Sequence, residues 1–372
     1  MSAAPSLTPP APGTLPRVLI IDDSAVVRGL VARWVEQDPR LDVAATCADG
    51  EQGVRKAGEL QPDLVVLDIE MPRMDGLTAL PLILKAAPRA RIVMASTLTR
   101  KGAEVTMRAL SLGAADYAPK PEAGRVAGAQ AYRESLIAKL VALSPRYRSQ
   151  PSTFSAPASQ PAPLRPVAPV YPSTPRTLVN TRLGLIAIGS STGGPQALRE
   201  VMSALPKDTR VPIVVTQHMP KLFTAILAEH LTKCGLPASE AKHGETLRAG
   251  HVYIAPGDFH FTVHSDRNGL RAQLDQDPQV NFCRPAVDPL FESCAAAVGR
   301  ALLAVVLTGM GHDGRDGSRA VRAAGGQVIA QDQASSVVWG MPGAVAEAGL
   351  ADQVLPLNDI GPELARRLKG TV

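Results

Sequence analysis

Cysteine is scarce in this chain of 372 residues: Cys47, Cys234, Cys283 and Cys294 form no C-x-x-C pair. None sits beside a histidine at metal-ligand spacing, which argues against a cysteine metal site and favours buried free thiols. No apolar run approaches the ~20 residues needed to cross a bilayer. Residues 1–16 carry neither the basic start nor the apolar centre of a secretory signal, so they read as a loose arm and the chain is expected to stay in the cytoplasm without membrane insertion. Acidic residues are missing from one long stretch. Between Glu134 and Glu200 there is none, against seven basic residues: Lys139, Arg146, Arg148, Arg165, Arg176, Arg182 and Arg199. Outside that stretch the chain is slightly acidic, so the net charge of +5 marks no folded basic face, and aromatics to interleave with one amount to 3%. Nucleic acid is therefore not an expected partner.

What is present is a chain in two parts. Apolar residues make up 45%, as in globular proteins. The length suffices for two cores. Residues 144–176 hold nine prolines among Ser and Ala, with no apolar periodicity. This composition predicts an extended linker. The expected division is an arm at 1–16, a first domain at 17–143, a linker at 144–177 and a second domain at 178–372. In the first domain short apolar runs at 18–21, 43–46, 64–67, 91–95 and 117–118 alternate with helical patterns such as 24–37, where Ser24 is placed to cap. The second has runs at 185–188, 212–216, 251–254, 301–307 and 327–330. Alternating strands and helices predict α/β domains with parallel sheets covered on both faces.

Open parallel sheets gather chemistry at the carboxyl ends of their strands. In the first domain those ends carry Asp22 and Asp23, Asp68, Ser96 and Lys120. Converging carboxylates repel one another, and a divalent cation relieves the repulsion; hard oxygen donors favour Mg²⁺. A lysine opposite them suits a phosphoryl group. Taken singly, Asp23 is equally a turn or cap residue and Lys120 a solvated charge. Together, Val18-Leu-Ile-Ile-Asp-Asp-Ser24, Val66-Leu-Asp-Ile-Glu-Met-Pro-Arg-Met-Asp-Gly76 and Ala118-Pro-Lys-Pro121 resemble the flavodoxin-like receiver domains of two-component response regulators. The resemblance implies Asp68 as phosphoacceptor, Asp22 and Asp23 as Mg²⁺ residues beside it, and Lys120 at the phosphoryl group. It implies Ser96 as switch hydroxyl, with neighbouring Thr97 leaving that register open, and Tyr117 as switch aromatic.

In the second domain three runs end in Gly189-Ser-Ser-Thr-Gly-Gly194, Gln217-His-Met-Pro220 and Thr308-Gly-Met-Gly-His-Asp-Gly314. They deliver Ser191, His218 and Asp313 to one edge. A serine hydroxyl becomes nucleophilic when a histidine takes its proton and a carboxylate orients that histidine. Neighbouring glycines let backbone N–H groups approach an oxyanion. The turn matches G-x-S-x-G, but the order Ser, His, Asp differs from that of α/β-hydrolases. A dinucleotide site is disfavoured because G-x-G-x-x-G spacing is missing. Among the other histidines, His260 and His264 suggest surface or edge positions near a strand. His230, His243 and His251 read as helix or loop residues, and His312 adjoins Asp313. Asp316 competes with Asp313 for the carboxylate role but reads rather as a helix cap.

With Ile254-Ala-Pro-Gly-Asp258, Arg284-Pro285 and Trp339-Gly-Met-Pro342, these segments resemble the doubly wound hydrolase domain of CheB-type protein-glutamate methylesterases. The resemblance implies Ser191 as nucleophile, His218 as base and then acid, Asp313 as orienting carboxylate and the Met310 backbone at the oxyanion. It assigns no role to Arg284, Asp258 or Trp339. It further implies methyl-accepting chemoreceptors as substrates, deamidation of their glutamines, and a CheA-type histidine kinase as phosphodonor. In that arrangement the unphosphorylated receiver covers the Ser191 cleft. A catalytically inactive docking regulator is the alternative, which an intact Ser191, His218 and Asp313 disfavour. A DNA-binding regulator is another, and no helix-turn-helix pattern follows the linker.

Overall fold

The computed structural model describes residues 15–120, 126–145 and 182–369. The expected arm lies almost wholly outside them, as do residues 146–177 of the expected linker. No helix among the described residues is long and apolar enough to cross a membrane.

The first sheet holds β1 (Arg17–Ile21), β2 (Asp42–Cys47), β3 (Leu64–Asp68), β4 (Arg91–Thr97) and β5 (Asp116–Lys120) in the order β2-β1-β3-β4-β5, every pair parallel. Between them run α1 (Ala25–Glu36), α2 (Gly50–Leu60), α3 (Gly76–Ala86) and α4 (Arg100–Ser111), and α5 (Val126–Leu143) follows. Local chemistry explains where these helices start. Ser24, Asp49, Asp75 and Thr99 each accept a hydrogen bond from a first-turn N–H of α1, α2, α3 and α4. Such caps are worth ~1 kcal/mol each. Strand alternation splits the core. Leu19 and Ile21 pack with the α2–α4 side, whereas Val18 and Ile20 pack with α1 and α5.

The second sheet has seven strands, all parallel, in the order β14-β13-β12-β6-β7-β9-β8. They are β6 (Leu185–Ser190), β7 (Ile213–Gln217), β8 (Ala238–Glu240), β9 (Val252–Ile254), β12 (Leu302–Val306), β13 (Gln327–Gln331) and β14 (Gln353–Leu355). β10 (His260–Asp266) and β11 (Gly269–Asp275) form a separate antiparallel ribbon. Ile186 and Ile188 pack on the side of α6 (Gly194–Ser203), α7 (Lys221–Thr232) and α11 (Leu357–Lys369). Leu185 and Ala187 face α8 (Val287–Val298), α9 (Arg315–Ala323) and α10 (Met341–Glu347). β6 is the switch point: the chain continues to β7 on one side and later returns to β12 on the other. A crevice at the strand carboxyl ends follows from that reversal.

The two cores meet. One apolar cluster runs from Met107, Leu110 and Tyr117 of the first unit into Ala197, Phe223 and Leu227 of the second. The Tyr117 ring stacks on Phe223 with centroids 4.6 Å apart and planes at 12°. Thr192 Oγ1 donates to Asp116 Oδ2 at 2.7 Å, and Gln196 Nε2 donates to Ala114 O at 3.0 Å and to Leu110 O. Val338 is buried among Ala118, Tyr132 and Leu136. Phe223 is fully buried. Burying such a ring contributes ~1.5–3 kcal/mol, far more than the exposed Arg100–Glu229 pair at 3.7 Å.

Candidate functional site

In the first unit the expected carboxylates do converge. Asp22, Asp23 and Asp68 each offer an oxygen within 4.8 Å of the others. Asp22 and Asp68 are buried, and Lys120 Nζ lies 2.8 Å from Asp22 and 2.7 Å from Asp68. Burial, with Asp22 nearby, pushes the Asp68 carboxyl up to about 6, against the pull of Lys120. Burial pulls the Lys120 ammonium down, but Asp68 and Asp22 outweigh it and its pKa rises. Three hard oxygen donors around one point suit Mg²⁺. Ser96 lies one residue beyond Ala95, which pairs with Asp68. Its hydroxyl accepts from Thr106 Oγ1 at 2.7 Å and lies 3.2 Å from Gly102 O, so it is engaged with α4. Thr97 Oγ1 lies 3.5 Å from Thr99 Oγ1. Tyr117 is buried against Phe223, with Lys139 Nζ 4.9 Å from its ring centroid.

In the second unit β6, β7 and β12 bring Ser191, His218 and Asp313 to one edge. α6 opens at Gly193 with φ +77, and a Cβ there would lie 2.6 Å from Val337. That left-handed, crowded position suits glycine and turns the chain sharply just after Ser191. Ser190 is fully buried and donates to Gln217 Oε1 at 2.7 Å; Ser191 remains partly accessible. His218 Nε2 lies 2.7 Å from Asp313 Oδ2. With Asp313 ionised, Nε2 is the donor and Nδ1 keeps the basic lone pair. Burial lowers the His218 pKa, but the bonds to Asp313 and Cys283 more than offset it and raise it. Among the described residues no hydrogen bond joins Ser191 Oγ to His218; such bonds are often long before substrate binds. Gly309 touches the serine closely, since a Cβ there would lie 2.8 Å from Ser191 Cβ. The next residue, Met310, has a backbone N–H without an acceptor among the described residues.

Three residues that the sequence motifs left unassigned surround this pair. Asp313 accepts from Val287 N (2.6 Å), Asp288 N (3.0 Å), Gly314 N (3.0 Å) and Asn281 Nδ2 (3.1 Å). Buried Asp288 accepts from the same Asn281 at 2.9 Å and from Gly314 N and Gly317 N at 2.9 and 2.7 Å. Burial and the Asp313 charge push Asp288 up, whereas burial raises Asp313 but His218 and the backbone N–H groups of Val287 and Asp288 together lower it further. Cys283 Sγ lies 3.5 Å from His218 Nδ1. The Arg284-Pro285 motif lay next door but named neither neighbour.

Three expectations need correction. Asp316 does not cap α9; it pairs with Arg315 and Arg319, and Asp288 from α8 accepts instead from Gly314 N just before the helix and from Gly317 N in its first turn. His260 is buried, not superficial, with Nε2 3.1 Å from Pro278 O, because α8 covers the β10–β11 ribbon. Cys234 and Cys283 are only half-buried, unlike Cys47 and Cys294. Arg284 binds Asp258 at 2.7 Å and the carbonyls of Gln276 and Asp277, which ties down the loop before α8.

Residues 18–127 match the response regulator receiver domain family, and residues 186–364 match the CheB methylesterase family. A protein-glutamate methylesterase/protein-glutamine glutaminase of Maricaulis maris is 56% identical, covering 96% of each chain. One from Caulobacter vibrioides, numbered 2, is 50% identical over 95% of this chain and 99% of its own. The CheB methylesterase catalytic domain of Thermotoga maritima, a crystal structure, is 43% identical over 50% of this chain and 99% of its own, with a TM-score of 0.49. The chain thus joins a receiver domain to a CheB methylesterase domain and belongs to the protein-glutamate methylesterase/protein-glutamine glutaminase family.

Proposed function

We propose that this protein hydrolyses glutamate γ-methyl esters on methyl-accepting chemoreceptors in the cytoplasm, and deamidates receptor glutamines, under control of phosphorylation at Asp68. The observation that carries the reading is the His218–Asp313 pair at 2.7 Å, with Ser191 following the strand that lies between theirs. Ser191 Oγ attacks the ester carbonyl while His218 Nδ1 takes its proton. Asp313 holds the opposite N–H and stabilises the imidazolium. The Met310 N–H faces the developing oxyanion. His218 then protonates the departing methoxide, which leaves as methanol, and water resolves the acyl-enzyme to free glutamate. With glutamine the leaving group is ammonia. An inactive docking regulator is disfavoured by the intact residue set and by the esterase names of near-full-length relatives.

For the receiver we propose Asp68 as phosphoacceptor from a CheA-type histidine kinase, with Asp22, Asp23 and Asp68 holding Mg²⁺. The bound ion would offset the crowded negative charge. Lys120 stands ready to pair with the phosphoryl oxygens. Control is supported by how the units touch. Asp116 grips Thr192, the residue after Ser191, and Thr308 Oγ1 bonds both Thr192 O and Val338. Thr308 O in turn accepts from Ser191 N at 3.0 Å. The receiver thereby holds Thr192, one anchor of the nucleophile turn, and Tyr117 stacks on Phe223 of the same unit as Thr192. A rearrangement that freed Tyr117 would loosen this grip, and ~1.4 kcal/mol suffices for a tenfold shift. The test is methanol release from methylated receptor with and without a small phosphodonor and Mg²⁺. We expect release that depends on Ser191 and speeds up with the phosphodonor. No release in either condition would overturn the reading.

A further inference from the structure

We infer that Phe282 is a specificity-determining residue that contacts the polypeptide around the esterified side chain; this rests on the esterase reading above. Phe282 is 96% exposed, whereas Phe223, Phe261 and Phe291 are fully buried. It sits at the tip of a two-residue hairpin closed by Val280 N to Cys283 O (3.1 Å) and Cys283 N to Val280 O (2.9 Å). Asn281 has φ 52 and Phe282 φ 62. Two successive left-handed residues make a turn that favours Asn followed by Gly. Asn281 fits that preference and Phe282 opposes it. A bare aromatic ring in a glycine position does nothing for folding, so its use lies elsewhere.

Its neighbours say where. Asn281 Nδ2 donates to Asp313 at 3.1 Å, and Cys283 Sγ lies 3.5 Å from His218 Nδ1. Arg284 is bonded to Asp258, Gln276 and Asp277. Both shoulders of the tip are therefore held, and the ring stands at the rim of the base. At the serine end Met310, beside Gly309, is a further exposed apolar side chain. An ester on a protein reaches Ser191 only if the chain that bears it lies across this rim. Phe282 meets that chain's aliphatic surface, away from the reacting atoms. Exposed aromatic anchors dominate such contacts. Binding remote from the bond being broken raises kcat/KM for the large substrate only.

The test uses full-length protein and two substrates, methylated receptor and a small soluble glutamate γ-methyl ester. Phe282→Ala should lower kcat/KM on receptor roughly tenfold, mainly through KM, and leave the small ester unchanged. Phe282→Leu should recover part of the loss. Phe282→Asn, which suits the left-handed turn, should fold with an equal or higher thermal midpoint and still lose receptor activity. Equal losses on both substrates, or a changed pH profile on the small ester, would mean that the hairpin only positions Asn281 and Cys283, and would overturn the inference. Unchanged receptor activity would overturn it too, as would a loss explained by dissociation of a dimer in sedimentation. Failure of the esterase reading is read separately, as small-ester hydrolysis that survives Ser191→Ala.

Discussion

Asp68 and Asp313 are the same residue type, each buried at a parallel strand end, yet their carboxyls move in opposite directions: Asp68 rises and Asp313 falls. Asp313 has its acceptors filled by His218, Asn281 and the backbone N–H groups of Val287, Asp288 and Gly314. Asp68 accepts from Ile69 N and Lys120 and shares its corner with two further aspartates. One site is completed by the protein, and the other, on the reading proposed here, by a ligand. This matches the division of labour proposed here. A hydrolytic site works repeatedly with its electrostatics built in, whereas a receiver must change state when charge is added.

The contrast can be broken first at the nucleophile. Ser191→Ala should cut turnover at least ~10⁴-fold with unchanged circular dichroism. Ser190→Ala should cost about 1 kcal/mol of stability by loss of its bond to Gln217, and keep most activity. The reverse pattern would move the nucleophile by one residue. Next come the two aspartates. Asp313→Asn should lower turnover on the order of 10³–10⁴-fold, phosphodonor or not. Asp68→Asn should spare basal turnover and abolish Mg²⁺-dependent phosphoryl labelling together with activation. Labelling that persists in Asp68→Asn would sink the receiver assignment.

A smaller effect is expected where the sites communicate. Asp116→Ala removes the grip on Thr192 and the ion pair to Lys139 at 3.0 Å. Methanol release by the unphosphorylated protein should rise several-fold, up to ~10-fold for a loss of 1.4 kcal/mol of closed-state bias. A fragment starting near Leu178 should be at least as fast and ignore the phosphodonor. Rates equal to the intact chain in both would leave the receiver a role other than inhibition. The smallest change concerns pH. His218 acts as base only when neutral, so kcat/KM climbs as pH rises through its pKa. Burial lowers that pKa, but Asp313 and Cys283 raise it further, so the acid limb lies above the ordinary ~6.5. Cys283→Ala deletes one raising partner and should move the limb to lower pH in small-ester pH–rate profiles. An unmoved limb would mean the thiol does not touch the base.

Much of this was legible in the sequence because parallel α/β sheets write their sites at strand ends. The runs leading to Asp22, Asp68, Ser191, His218 and Asp313 were each apolar enough to mark a buried strand and short enough to mark its end. The short edge strands Ala238–Glu240 and Gln353–Leu355 were missed because three half-buried residues leave no periodicity to read. The cap of α9 was misread for another reason. Asp316 sits where a local cap is expected, but Asp288, 26 positions before Gly314, fills the role.

By itself, then, the sequence determined two α/β units, their strand-end residues and their family, because local pattern and motif order suffice for these. Tertiary structure alone decided what surrounds those residues. Asn281 and Asp288 reach Asp313, Cys283 reaches His218, and Asp116 reaches Thr192 across 76 positions of chain. None of these partners is predictable from spacing, since each depends on how loops and units fold back over the sheet edges. Hydrogen bonds and burial act over a few ångströms in space, whatever the distance along the chain.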